Sequence, residues 1–406
     1  MKSLFPVILF LYCAYLSTAS ELTPVERFGK NTGNLRMLYF APPDSISQEQ
    51  KPLLVVLHGC SQTANIAAQQ TGWNKLAEHY GFFVLYPEQK QLNNPSFCFD
   101  WFRPDDITRG SGEAASIKEM MEWMQKKFRI DSTKIFVAGL SAGAAMAVVM
   151  MADYPSSFNA GAVFAGGPYM SATDAFSAMR SMTGFIVKSS KQWGELVRKQ
   201  NPAYKGEYPR IIIFHGTKDL IVDPRNSKEL IKQWTNLHHT DTIPDERTER
   251  FAGDPTLTKY VYKNESGEEP VIFFEAKGIG HSLMIDTGKC RDKGGKEEPF
   301  TTVGAFHSTY WTAVEFGLAP RPGIVTKFTY LHDSLMVVCL TIGEKNSVYQ
   351  WNVPQGCVIT DGQGSSSLTV KWKSGLRNGT ISVMETDPDG CGYHYEAEVT
   401  LPKQNK

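Results

Sequence analysis

Three residues in fixed chain order have the types needed to cleave an acyl bond: Ser141, Asp219 and His281. Ser141 sits in Gly139-Leu140-Ser141-Ala142-Gly143, a G-x-S-x-G run with the apolar stretch Ile135 to Ala138 before it. Ala144, Ala145 and Ala147 follow, so small side chains extend past the turn. A strand, a sharp turn and a helix there would present a serine on a strained backbone, with glycines leaving room for it. The helix N-terminus would add free N–H groups and positive dipole beside a developing negative charge. A serine hydroxyl is inert at neutral pH without a base, so a histidine has to reach it in space.

Where a serine sits on such an elbow, the acid and then the histidine follow it in the chain. Asp219 ends the run His215-Gly-Thr-Lys-Asp219 after the apolar stretch Ile211 to Phe214. His281 ends Gly278-Ile-Gly-His281 after Val271 to Phe274. Both therefore fall at carboxyl ends of predicted strands, where an open α/β sheet has its crevice. Competing residues occupy less suitable places. Asp223 lies four positions past Asp219, His215 belongs to the strand-end turn, His238 and His239 close a helix-like stretch, and His307 falls in the predicted final helix. Acyl transfer also needs donors for the tetrahedral oxyanion. The backbone N–H of Ala142 is one expected donor, and that of Cys60 or Ser61, in the turn Leu57-His-Gly-Cys-Ser-Gln62, is the other. His58 in that turn reads as a structural hydrogen-bonding residue.

The elements that must position these groups alternate along the chain. Leu53 to Leu57, Phe82 to Tyr86, Ile135 to Ala138, Ala162 to Ala165, Ile211 to Phe214 and Val271 to Phe274 read as buried parallel strands. Asn31 to Phe40 adds an antiparallel strand or hairpin. Between the strands, Glu113 to Phe128 puts Ile117, Met120, Met121 and Met124 on one helical face, as core packing. This alternation predicts an α/β fold with a doubly wound, mostly parallel sheet. Residues 170–207 interrupt the rhythm, either as a cap over the substrate or as a long surface excursion. After Pro320-Arg-Pro-Gly323, alternating runs such as Leu335 to Leu340 and Ser367 to Trp372 predict a small all-β sandwich. The expected domains are a signal peptide at 1–19, a catalytic domain at 20–320 and the sandwich at 324–403.

Composition narrows the partners. Forty-two Lys and Arg balance forty-two Asp and Glu, so no strong field is available to hold nucleic acid or an anionic membrane. Lys2, the apolar run Leu4 to Leu16 and the small residues Ser17 to Ser20 read as a secretory signal, too short to span a bilayer. Its removal takes Cys13 and leaves Cys60, Cys98, Cys290, Cys339, Cys357 and Cys391. An even number in an exported chain points to disulfides, and no C-x-x-C spacing points to zinc. Six cysteines allow fifteen pairings, so sequence leaves the connectivity open.

On these residues the chain resembles the polyhydroxybutyrate depolymerase-like esterase family, which includes feruloyl and acetylxylan esterases. The runs that carry the likeness are L-H-G-C-S-Q (Leu57 to Gln62), C-F-D-W-F (Cys98 to Phe102), R-G-S-G-E-A-A-S-I (Arg109 to Ile117) and G-L-S-A-G (Gly139 to Gly143). A-G-G-P-Y (Ala165 to Tyr169), H-G-T-K-D (His215 to Asp219) and G-I-G-H (Gly278 to His281) complete the set over about residues 30–318. The resemblance implies an α/β-hydrolase fold, a Ser141–Asp219–His281 triad, and hydrolysis of carboxylic esters without metal or cofactor. It also implies a Cys60–Cys98 bridge tying the oxyanion turn to the loop that bears Trp101. Trp101 there could present an aromatic platform to an acyl or polymer chain, or simply pack. The continuation Ser282-Leu-Met284 departs from the family pattern, which bears on specificity. Tyr349-Gln-Trp-Asn-Val-Pro354, Asp361-Gly-Gln-Gly364, Val370-Lys-Trp372 and Cys391-Gly392 resemble PKD-like β-sandwich modules of secreted bacterial proteins.

The expected protein is thus a secreted, monomeric serine esterase. It would act on an ester-bearing polymer or oligomer: a polyhydroxyalkanoate-type polyester, or the feruloyl or acetyl esters of plant cell-wall polysaccharide. A catalytically weak scaffold that only binds polymer is the competing class, and peptidase or thioesterase chemistry would share the same machinery.

Overall fold

The computed structural model describes residues 22–401 apart from 332, 333, 342 and 345; the predicted signal segment lies outside the described residues. Ten strands form one sheet: β1 (Thr23–Val25), β2 (Arg36–Phe40), β3 (Lys51–Leu57), β4 (Phe83–Glu88), β5 (Ile130–Leu140), β6 (Ala160–Phe164), β7 (Arg210–Gly216), β8 (Glu246–Glu249), β9 (Leu257–Tyr262) and β10 (Val271–Ala276). Their order is β1-β2-β4-β3-β5-β6-β7-β10-β9-β8. The six central strands, β4 to β10 in that order, are parallel, and antiparallel strands flank them on both sides. Each apolar run predicted from sequence lies within or overlaps one of these six strands. The structure extends β5 back to Ile130, because Lys51 and Ile130 add a further pair beyond a register shift.

Burial on both faces explains the unbroken apolar runs. One face packs under α4 (Gly112–Lys127), α5 (Ala142–Asp153), α7 (Ser190–Gln200) and α8 (Arg225–Leu237), and the predicted methionine face of α4 is fully buried there. The other face packs against α1 (Ala64–Thr71), α2 (Trp73–Tyr80) and α9 (Ser308–Phe316). Two short helices, α3 (Pro104–Ile107) and α6 (Ala175–Met182), lie in connections. His307 is the N-cap of α9 and not a member of the helix, as the sequence pattern had suggested. Between β10 and α9, β11 (Leu283–Ile285) pairs in parallel with β12 (Thr301–Val303).

Chain order reverses between β3 and β5: from β3 the chain passes to β4 on one side, and β5 lies on the other. A crevice opens at such a switch point, at the carboxyl ends of the two strands. The elbow and the L-H-G-C-S-Q turn both lie there.

Beyond the main sheet, β13 (Ile324–Leu331), β14 (Ser334–Thr341), β16 (Val358–Asp361) and β17 (Ser367–Lys371) form one antiparallel sheet. The strands β15 (Val348–Asn352), β18 (Asn378–Thr386) and β19 (Gly392–Thr400) form another. Val337, Trp351, Val370, Trp372, Ile381 and Val383 fill the space between them. Trp351 and Trp372 are core residues here, with their indole N–H groups bonded to Ser365 and Leu376 carbonyls.

Candidate active site

Backbone geometry at Ser141 is set by close packing around the turn. Ser141 has φ 56° and ψ −116°, a conformation that costs a non-glycine residue of order 1–3 kcal/mol and persists only where surroundings impose it. Two bonds impose it here: Ser141 N–H donates to the Phe164 carbonyl at 2.9 Å, and Ala145 N–H to the Ser141 carbonyl at 3.0 Å. The motif glycines are there for space. A Cβ on Gly139 would stand 2.2 Å from the Gly143 carbonyl oxygen, and one on Gly143 would stand 2.2 Å from that of Leu57. The small residues therefore let α5 start directly against the ends of β3 and β5.

Asp219 and His281 come from neighbouring loops laced together by backbone bonds. Thr217 N–H donates to the Ala276 carbonyl and Lys218 N–H to the Ile279 carbonyl, each at 2.9 Å, while Gly278 N–H reaches Thr217 Oγ1. Gly216 allows this approach, since its Cβ would lie 2.3 Å from the Ile279 oxygen. The result is a 2.7 Å contact between His281 Nδ1 and Asp219 Oδ2. The other carboxylate oxygen accepts the N–H groups of Ile221 at 2.9 Å and Val222 at 2.8 Å. Asp223 turns away and pairs with Arg225.

His215, read from sequence as part of a turn, also faces this carboxylate. Its Nε2 lies 2.8 Å from the Val222 carbonyl and 3.3 Å from Asp219 Oδ2, so Nε2 carries the proton. Burial alone would raise the Asp219 pKa, but the hydrogen bonds from His215 and His281 outweigh it and hold the carboxyl well below its ordinary range. An alternating count places His215 beside the strand end; only the curl of the following loop brings Asp219 back to it. The remaining histidines serve elsewhere. His238 Nε2 meets the Pro209 carbonyl, and His307 Nε2 meets that of Thr71.

The oxyanion turn shows one departure from expectation. Ser61 N–H is committed to the Ser96 carbonyl at 2.7 Å, so it is not free for an oxyanion. Cys60, by contrast, lines the same cleft as Ser141 and Ala142, and neither its N–H nor that of Ala142 has a hydrogen bond among the described residues. His58 braces the turn: its Nδ1 contacts the Gly59 carbonyl and its Nε2 accepts the Gln89 N–H. Burial lowers its pKa, in keeping with a neutral, structural ring. Cys60 is joined to Cys98 by a disulfide, which ties the turn to the loop of Trp101. Glu113 holds that loop from below, accepting from Gln89 and from the Asp100 N–H. Burial pushes the Glu113 carboxyl up to about 8, so at neutral pH it is largely protonated.

The cleft is bounded by Cys60, Trp101, Ser141, Gly167, Met182 and Val222. Trp101 forms part of the cleft wall and packs partly into the main core. In the inserted segment α6 contributes Ser181 and Met182 to the wall, while α7 packs on α8 through Trp193 and Glu229. No hydrogen bond joins Ser141 Oγ to His281 among the described residues. Catalytic contacts of this kind often tighten only when substrate arrives.

A serine on a strained elbow at a switch point, with a carboxylate-bound histidine after a later strand at the same edge of the parallel sheet, defines the α/β-hydrolase class. The family model described as Esterase PHB depolymerase matches residues 35–255, and the chain belongs to that family and is a carboxylic ester hydrolase. Its relatives include poly(3-hydroxyalkanoate) depolymerase C of Paucimonas lemoignei, 40% identical over 302 residues (74% of this chain and 71% of that protein). An acetylxylan esterase of Coprinopsis cinerea is 34% identical, covering 65% of this chain and 70% of its own. Feruloyl esterase B of Thermothelomyces thermophilus is 31% identical, covering 68% and 94%. Among solved structures, acetyl xylan esterase from Aspergillus awamori superposes with a TM-score of 0.59 at 26% identity, over 64% of this chain and 94% of that one. A PKD-like domain model matches residues 341–401.

Proposed function

We propose that this protein is a secreted serine esterase that forms an acyl-enzyme on Ser141. His281 takes the Ser141 proton as the hydroxyl attacks the ester carbonyl, and Asp219 holds the imidazole tautomer and stabilises its cation. The N–H groups of Cys60 and Ala142 receive the oxyanion; the alcohol leaves with a proton from His281, and water then releases the acid with His281 again as base. The observation that carries this reading is the 2.7 Å His281–Asp219 contact at the carboxyl ends of the parallel strands, the same edge of the sheet that bears the strained Ser141 elbow. The chain organisation that fits it is a signal at 1–19, an esterase domain at 20–320 and a PKD-like domain at 324–403.

The substrate class that fits is an ester-bearing polymer or its fragments. The relatives' names divide between polyhydroxyalkanoate and plant cell-wall polysaccharide, and the depolymerase of Paucimonas lemoignei has the higher identity of those compared. The cleft wall here is mostly apolar, with Trp101, Met182 and Val222, which suits an aliphatic acyl chain. The test is hydrolysis of p-nitrophenyl butyrate by the purified chain and its Ser141→Ala variant, followed by polyhydroxybutyrate film, methyl ferulate and acetylated xylan. Substitution should abolish turnover on every substrate. Equal rates for the two proteins would refute the acyl-enzyme, and polymer binding without turnover would identify a scaffold that only binds.

A further inference from the structure

The connection from β11 to β12 runs Asp286-Thr-Gly-Lys-Cys-Arg-Asp-Lys-Gly-Gly-Lys-Glu-Glu-Pro-Phe300. Between its ends it has no apolar side chain apart from Cys290 and Pro299, so hydrophobic packing cannot order it. Polar and covalent partners must do so, and the structure supplies them on two sides. From inside, the Lys75 ammonium of α2 donates to the carbonyls of Gly288, Lys289, Cys290 and Lys293 at 3.4, 2.9, 2.7 and 2.7 Å. From outside, the β-sandwich grips the same few residues. Cys290 is bonded to Cys391, and the Arg291 guanidinium forms a two-pronged pair with Glu385 at 2.7 and 2.6 Å. Arg291 also lies 3.9 Å above the Tyr393 ring and 3.1 Å from Tyr395 Oη, while Lys289 Nζ reaches the Asp389 carbonyl. The Arg291 and Glu385 side chains are 7% and 0% exposed, so water does not compete for the pair.

The ends of this connection lie at the catalytic histidine. His281 is two residues before β11. Leu283 N–H donates to the Phe300 carbonyl, and Ser282 Oγ lies 2.7 Å from Thr302 Oγ1. The Phe300 ring stands edge-on to the His281 ring, with centroids 5.8 Å apart. Where the 286–300 connection sits therefore sets where Phe300 and β12 sit, and these flank His281.

We propose that the PKD-like sandwich is a positioning part of the catalytic site, acting through Cys391 and Glu385 on Cys290 and Arg291 to hold His281 in register with Ser141. The proposal rests on His281 being the base. It contrasts with a module that only tethers the enzyme to polymer or spaces it from a surface. Arg291 and Glu385 are positioning residues, since neither touches the cleft.

The discriminating substrate is a small soluble ester, for which polymer adsorption is irrelevant. Full-length parent, Cys290→Ser/Cys391→Ser, Arg291→Met and Arg291→Lys would be compared with p-nitrophenyl butyrate, and with a fluorophosphonate probe that labels an activated serine. The expected result is a kcat at least about tenfold lower in the double-serine and methionine variants, with KM within about twofold, slower labelling of Ser141, and partial recovery in Arg291→Lys. Circular dichroism and melting would establish that each assayed variant is folded. Should the double-serine protein fail to fold, the two Arg291 variants decide the matter alone. A folded variant whose kcat and labelling rate stay within twofold of the parent overturns the positioning role and leaves the esterase reading intact. A parent that neither turns over ester nor takes the label overturns both.

Discussion

At Asp219 the carboxylate is held by four contacts, from two backbone N–H groups and two histidines. An ion this enclosed survives only if its oxygens are satisfied, because desolvation disfavours the charged form. His215 should therefore contribute to catalysis through Asp219, although it does not itself line the cleft. His215→Phe keeps an aromatic ring, slightly larger, but removes the Nε2 donor, leaving the Val222 carbonyl without that bond and Asp219 short of one. A hydrogen bond to a charged group is worth about 1.5–3 kcal/mol, so kcat should fall roughly tenfold or more at nearly constant KM. Steady-state kinetics on a soluble ester checks it; an unchanged kcat would show that Val222 and Ile221 suffice.

Between β7 and β10 the element-level design is a pair of parallel strands whose following loops are joined side by side. The strands register Phe214 against Phe274 and Gly216 against Ala276, so their loops leave the sheet together. Gly216 is the point of closest approach. Gly216→Ala would drive a methyl into the Ile279 and Gly280 carbonyls, at 2.3 and 2.5 Å from the added carbon. Backbone cannot yield there without separating Asp219 from His281. Activity should drop by at least about a hundredfold, and the melting temperature should fall with it, the clash outweighing the roughly 0.5–1 kcal/mol that alanine gains over glycine at an unstrained site. A variant that melts like the parent and retains its kcat would show the two loops to be independent.

Over the whole molecule, buried titratable groups give stability a pH dependence with two opposed limbs. Burial lowers His238 and His307 to about 4 from an ordinary 6.5, so the unfolded chain binds their protons first and stability falls as pH drops from 6.5 towards 4. Burial raises Asp153 and Glu113 to about 8, from 3.8 and 4.5; the unfolded chain ionises first, and stability falls as pH rises towards 8. Both Asp153 oxygens lack a hydrogen-bond partner among the described residues, which makes it the cleaner probe. Asp153→Asn should raise the melting temperature at pH 8 clearly more than at pH 4.5. An equal gain at both would place the ionisation elsewhere. The two disulfides act at the same scale. One closes a loop inside the esterase part, and the other, between cysteines 101 positions apart, joins that part to the sandwich. Cys339 is buried and free, and Cys357 is free and half-exposed.

Much of this was legible in the chain because its signals are local. Apolar runs marked six parallel strands, Gly139 and Gly143 marked a turn where only small residues fit, and motif order gave Ser141, Asp219 and His281 as candidates. The change of rhythm after Pro320 marked the sandwich. Choices that depend on where loops meet were not legible. That His215 joins Asp219, and that the Ser61 N–H is spent on Ser96, follow from loop curvature, which residue types do not encode. Cysteine pairing is the same case: six cysteines allow fifteen patterns, and only the docking of the sandwich on the 286–300 connection brings Cys391 to Cys290. Periodicity and small-residue motifs report what each segment does with its own neighbours. Contacts across 60 or 100 residues are decided by the packing that brings those segments together.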